Sequence, residues 1–242
     1  MTGTKAAIIA QLQRDILPLQ GFKKAPKNIA LDIKLGAIKH AFPGHTFPLG
    51  AIHEFISIKP EDAAVTGGFV SAILASLMKT DGATIWISSS RTIFLPALKS
   101  FGISPDKIIF IDLQKEKQVL WAMEEALKCD GLAAVVAQIQ ELSFTASRRL
   151  QLAVEQSRVT GFVLRQNPRS LNTTACVTRW KIASLTSELS DGMPGVGFPR
   201  WNVELLKVRN GRPGNWQIEF MEGGFKQFNK VAEISQQQKK AG

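Results

Sequence analysis

Five short apolar runs, Ile52–Ile58, Thr84–Ser88, Ile108–Leu113, Leu132–Ala137 and Phe162–Arg165, alternate with stretches of helical periodicity at Thr66–Lys79, Ile93–Phe101, Lys115–Cys129 and Thr145–Arg158. Strands that read as continuous apolar runs are buried on both faces, and a helix between two such strands supplies the crossover that parallel pairing needs. The alternation therefore predicts an α/β fold with a mostly parallel twisted sheet flanked by helices. The helix predicted from Thr66 is apolar nearly all round (Phe69, Val70, Ile73, Leu74, Leu77, Met78), the pattern of a helix covered on several sides. The fourth is two-faced, with Ala146, Leu150, Ala153 and Val154 on one side and Arg148, Gln151, Glu155 and Arg158 on the other.

Beyond Asn172 the rhythm changes to strands joined by turns: "ACVTRWKIAS", "RWNVELLKVR" and "NWQIEF", linked by "SDGMPGVGFPR" and "NGRPG". These predict antiparallel strands added at the C-terminal end of the sheet, with Trp180, Trp201 and Trp216 as packing residues. Ahead of the sheet, "AAIIAQLQRDIL" sets Ile8, Ile9, Leu12 and Ile16 on a narrow stripe at helical spacing. Pro18 and Gly21 then stop that helix, and a basic connector follows. The organisation expected is an arm helix and basic linker over 1–33, an α/β domain over 34–224, and a segment 225–242 ending in the polar tail "SQQQKKAG".

Of the 242 residues 45% are apolar, enough for one large core. No apolar run approaches the roughly 20 residues that cross a bilayer, and residues 1–20 lack the order of a secretion signal, so a cytoplasmic protein without membrane contact is expected. Cys129 and Cys176 have no C-x-x-C spacing and are expected as small core residues in a reducing compartment. The histidines, His40, His45 and His53, fit no helical ligand pair, so no metal is expected. The formal charge of +10 suits nucleic acid or an acidic partner, and suits a solvated basic surface equally well.

The stretch "EFISIKPEDAAVTGGFVSAILASLM", Glu54 to Met78, runs from strand to small residues to helix, as a phosphate-binding loop does. A working loop reads G-x-x-x-x-G-K-[ST], with a lysine for the terminal phosphates and a hydroxyl for Mg²⁺. Thr66, Gly67, Gly68 and Phe69 stand there instead, and Glu61 and Asp62 bring negative charge to the helix start. Those two acids are expected to cap the helix N-terminus rather than to leave room for an anion.

Over nearly its whole length the chain resembles RecA, with its arm helix, the lead-in "LGAIKHAFPGHTFPLGAIHEF", and "LLKVRNGRPG" near the strand and turn that carry interface cations. More specifically, "LWAMEEALKCDGLAAVVAQIQELSFTASRRLQLAVEQSRVTGFVLR", "TRWKI" and "PRWNVELLKVRNGRPGNWQIEF" resemble the ImuA family of mutagenesis accessory proteins. The middle portion is also similar to the shorter cell-division inhibitor SulA. The ImuA resemblance implies an SOS-induced accessory factor of error-prone translesion synthesis that bridges RecA, the Y-family relative ImuB and an error-prone replicative-type polymerase. DNA and a second copy of the chain remain open as further partners. The alternative from the SulA likeness is inhibition of FtsZ-dependent division, against which the arm and the long strand-rich C-terminal part both speak.

The RecA resemblance places the phosphate lysine at Gly68 and the metal-holding hydroxyl at Phe69. It places a glutamate after Thr84–Ser88, where Ser88-Ser89-Ser90-Arg91 stands, and an aspartate after Leu132–Ala137, where Gln138-Ile139 stands. ATP chemistry of this class needs those groups together, so neither catalysis nor a cofactor is expected. The interface cations correspond to Lys207 and Arg209, with Arg212 in the adjoining turn. These three, and the stripe Ile8, Ile9, Leu12 and Ile16, are the candidate partner contacts. The stripe is free by its geometry to dock on its own domain, on a second copy or on RecA.

Overall fold

All six residues of β1 (Ile52–Ser57) are buried. A strand achieves that only with neighbours on both edges and layers on both faces. In the computed structural model, which describes residues 33–80, 82–90, 93, 95–187 and 197–228, β1 indeed lies inside a nine-stranded sheet. The predicted arm stripe Ile8, Ile9, Leu12 and Ile16, the basic linker and the tail from 229 lie outside the described residues.

The elements that follow β1 are α1 (Pro60–Leu77), β2 (Ala83–Ser88), α2 (Leu95–Ser100), β3 (Ile108–Asp112) and α3 (Glu116–Ala126). Then come β4 (Leu132–Ile139), α4 (Phe144–Ser157), β5 (Thr160–Gln166), β6 (Thr178–Leu185), β7 (Arg200–Val208), β8 (Gly214–Met221) and β9 (Gly224–Gln227). Across the sheet the order is β3-β2-β4-β5-β1-β6-β7-β8-β9. Pairing is parallel from β3 to β6 and antiparallel from β6 to β9. The fold class is the expected one, with a refinement. β6 lies parallel to β1, His53 opposite Thr178, so the antiparallel addition begins only at β7.

The first helix starts at Pro60, not at Thr66, so residues 60–65 are helix rather than loop. Proline at the first helical position loses no hydrogen bond and brings its φ preset. Asp62, as expected of a cap, accepts the Lys59 N–H at 3.3 Å. This helix covers one face of the sheet. Phe69 stacks on Phe225 of β9 with ring centroids 4.9 Å apart and lies 5.8 Å from Trp180 and 6.1 Å from Trp201. Phe55 of β1 stacks almost flat on Trp180. Trp180 and Trp201 are thus core residues, while Trp216 is half-buried at the margin. On the opposite face α3 and α4 pack Val119, Met123, Leu150 and Val154 against Ile52, Val135 and Val163.

Three expectations are corrected. Gln151 does not belong to the solvent face of α4, for it is buried and its Oε1 accepts the Ile52 N–H at 3.3 Å. The Ile52 amide at the start of β1 requires an acceptor, and the Gln151 carboxamide supplies it. Cys129 is exposed just past the end of α3, whereas Cys176 is buried, its thiol pushed up to about 12 mainly by burial. The strand expected to stop at Ala137 continues through Gln138 and Ile139, both buried. Beyond the expected domain end at 224, β9 had no forecast at all, and its Phe225 lies in the core.

His53 is fully buried between Phe47 and Phe162, at centroid distances of 4.4 and 5.5 Å. Its Nε2 lies 2.9 Å from the Pro48 carbonyl, which can only accept, so Nε2 carries the proton. Nδ1 then accepts from the Thr178 hydroxyl at 2.7 Å, and that hydroxyl accepts from Trp180 Nε1 at 2.7 Å. Burial lowers the imidazole pKa to about 3. Between pH 6.5 and 3 the unfolded chain therefore binds a proton that the folded chain refuses, and stability falls on acidification through that window. Urea denaturation at several pH values should show stability lost between pH 6.5 and 3 with a slope approaching about 1.4 kcal/mol per pH unit from this group, and His53→Asn should remove that component of the slope. Phe225→Ala should cost about 3–5 kcal/mol in the same assay through its transfer and cavity terms. A loss below ~1 kcal/mol would show that the stacking on Phe69 does not hold β9 to the sheet.

Candidate functional site

Open parallel sheets present their binding crevice beyond the C-terminal ends of the strands. Here that edge bounds a recess of about 690 Å³ between the ends of β1, β2, β4 and β5, the first turns of α1, the helix α2 and the start of β7. The four positions singled out in the sequence lie together on one turn of α1. Thr66 is buried, and its Oγ1 is 3.0 Å from Ser57 Oγ, which ties the helix to the end of β1. Gly67 and Gly68 form wall. A Cβ on Gly67 would meet nothing within 4 Å, whereas one on Gly68 would come within 3.0 Å of the Phe101 ring and 3.5 Å of Trp201. Phe69 turns away from the recess into the aromatic core.

This wall is chemically apolar. Trp86, Phe101 and Trp201 supply rings, and Gln138, Gln166 and Asn167 supply carboxamides. Among the described lining residues Lys59 is the one cation, and there is no carboxylate. The partial positive charge at the start of α1 is answered by Asp62. A side chain of lysine length at Gly68 would have to displace Phe101. The arrangement suits an uncharged, partly aromatic group. Ser88 closes β2 as a buried residue, followed by exposed Ser89 and Ser90. No group of three or more His, Cys, Asp or Glu side chains that could hold a metal occurs among the described residues.

The predicted interface cations lie elsewhere, on the opposite face of the sheet. Lys207 Nζ donates to the Thr174 carbonyl at 2.7 Å and Arg209 Nη2 to the Ala175 carbonyl at 3.1 Å. Burial, with Arg179 and Arg209 nearby, holds the Lys207 ammonium below its usual pKa. Both side chains fasten the connector between β5 and β6 rather than standing free. Arg212 is exposed and separate, its backbone N–H donating to the Ala41 carbonyl at 2.9 Å. Arg148 and Arg149 are exposed on α4, Arg149 pairing with Glu124 at 2.7 Å.

The charged centre that sequence reading did not single out is Glu54. Its carboxylate, fully buried in the middle of β1, accepts from Arg165 Nη1 at 2.8 Å, Arg179 Nε at 2.9 Å and the Thr174 hydroxyl at 2.7 Å. The signal was available: an acid inside a six-residue run that is otherwise strand core must find cationic partners. Arg165, also fully buried, reaches on to Glu141 and to the Ser170 carbonyl.

No protein-family model matches the sequence. Among curated proteins it is similar to Protein ImuA from two strains of Caulobacter vibrioides, 34% identical over 200 residues in each case, which covers 78% of this chain and 82% of the relative.

Glu54→Gln should lower stability by about 3–5 kcal/mol in urea denaturation, because two cations keep their burial and lose their counter-charge. Glu222→Gln, which breaks the exposed pair with Lys226, should leave the denaturation midpoint in place. Equal effects of the two substitutions would contradict the central role of Glu54.

Proposed function

The chain belongs to the ImuA family, and we propose that it is a non-catalytic accessory protein of SOS-induced, error-prone translesion synthesis that works by joining other proteins. Its partners in this reading are RecA, ImuB and an error-prone replicative-type polymerase, in the cytoplasm. The observation that carries the non-catalytic part is the recess at the strand ends: Gly68 faces an aromatic ring where a phosphate lysine is required, and the described lining offers one cation and no carboxylate. Water activation and metal holding both require carboxylates at such a site. With no carboxylate among the described lining residues, the reading rests on binding energy from protein contacts. No helix among the described residues is long and apolar enough to cross a membrane, in keeping with the proposed location.

The stripe Ile8, Ile9, Leu12 and Ile16 is the proposed docking element for RecA, and Lys207, Arg209 and Arg212 are the proposed cationic contacts. Only Arg212 has its side chain exposed. Contact through Lys207 or Arg209 would involve the connector that they hold.

A side-by-side binding assay with purified RecA, ImuB and FtsZ tests the reading, together with calorimetry against ATP and Mg²⁺. RecA and ImuB should be retained and FtsZ should not, Ile9→Asp with Leu12→Asp should abolish RecA binding, and ATP should give no heat of binding. Capture of FtsZ alone would establish the division-inhibitor alternative, and ATP turnover would overturn the non-catalytic assignment.

A further inference from the structure

The recess has the size of a pocket that takes a sizeable organic group, and its walls combine three rings with three carboxamides. Rings offer stacking partners, and carboxamides can meet the donors and acceptors of a peptide backbone. Its mouth adds a further constraint. Ile58 lines it while 47% exposed, and Phe198, next to the lining residue Pro199, is 50% exposed. A small molecule filling the recess would leave that apolar collar in water, whereas a polypeptide segment running across the mouth would cover it. Charge narrows the occupant, since Lys59 is the one cation among the described lining residues and no carboxylate balances it there.

We propose that the recess is an anchor site for an aromatic side chain carried on a peptide segment of a partner protein, with apolar or acidic residues beside the ring. The inference rests on the reading of the chain as a protein that works through protein contacts, and it names the surface and the chemistry that one such contact uses. A buried aromatic anchor surrounded by a sealing rim is how compact interfaces concentrate their binding energy. Gly67 and Gly68 then have a positive role. They keep the helix wall low, so that the ring of the partner can lie against it beside Phe101 and Trp201.

The test uses the full chain labelled with ¹⁵N and follows the indole N–H signals of Trp86 and Trp201. The probe is the capped tripeptide acetyl-Asp-Phe-Leu-amide. Gly67→Leu is the blocking variant: its Cβ enters open space, and a helix favours leucine over glycine, so the fold is retained. Saturable shifts of both indole signals are expected, with affinity at least about tenfold weaker in Gly67→Leu and weakened several-fold when lysine replaces aspartate in the probe. Absence of shifts, equal affinity in Gly67→Leu, or tighter binding of Mg²⁺–ATP than of the peptide would each overturn the proposal. Failure of the assay with whole RecA and ImuB would sink the functional reading without touching these shifts. Loss of the shifts sinks the anchor site alone.

Discussion

One buried carboxylate organises the middle of this molecule. Glu54 lies in a strand whose six residues are all sequestered from water, where an isolated charge is far too costly to keep. Arg165 on one neighbouring strand and Arg179 on the other supply the counter-charge, and Thr174 adds a hydroxyl. The three strands β5, β1 and β6 are thereby locked by side chains as well as by their backbone ladders. That lock lies where the chain changes from parallel to antiparallel pairing. The connector that carries Thr174 is drawn across the sheet by the same group, with Lys207 and Arg209 holding its carbonyls from β7. Cations that resemble interface residues in the sequence are therefore committed first to their own fold.

The other face of the sheet is organised by rings. Phe69 of α1 meets Phe225, Trp180 and Trp201, and so one helix is clamped to β6, β7 and β9 at once. The site at that end has an open wall at Gly67 and an aromatic one at Gly68. A nucleotide site built on the same elements needs charge at that wall. This chain instead has apolar surface there, and apolar surface with an exposed rim is suited to a protein segment.

The start of α1 links the two faces. Pro60 and Asp62 begin the helix immediately after the bend at Ile58 and Lys59, so residues 60–65, expected as loop, are helical. The favourable end of the helix dipole is then used internally. The function proposed for the chain follows from this choice: binding without chemistry.

Residue order alone determined a good deal here. Apolar runs of strand length alternating with helical patterns pointed to the parallel sheet, because helical crossovers cover such a sheet on both faces. Turn-rich spacing after Asn172 specified the added strands, and the absence of lysine and carboxylates at the matching positions bore on what the site can do. Boundaries were less legible. The likeness to a phosphate-binding loop delays the expected helix to Thr66, whereas Pro60 followed by two acids is itself a helix start. Gln151 reads as a surface residue, since helical periodicity cannot see that the Ile52 amide takes its acceptor from that side chain. Only the tertiary structure decided that Phe225 belongs to the core, that Glu54 gathers arginines from residues more than a hundred positions away, and that Gly68 lies under Phe101. These are contacts between segments remote in the chain, and their energy depends on distance and burial, which no local pattern encodes.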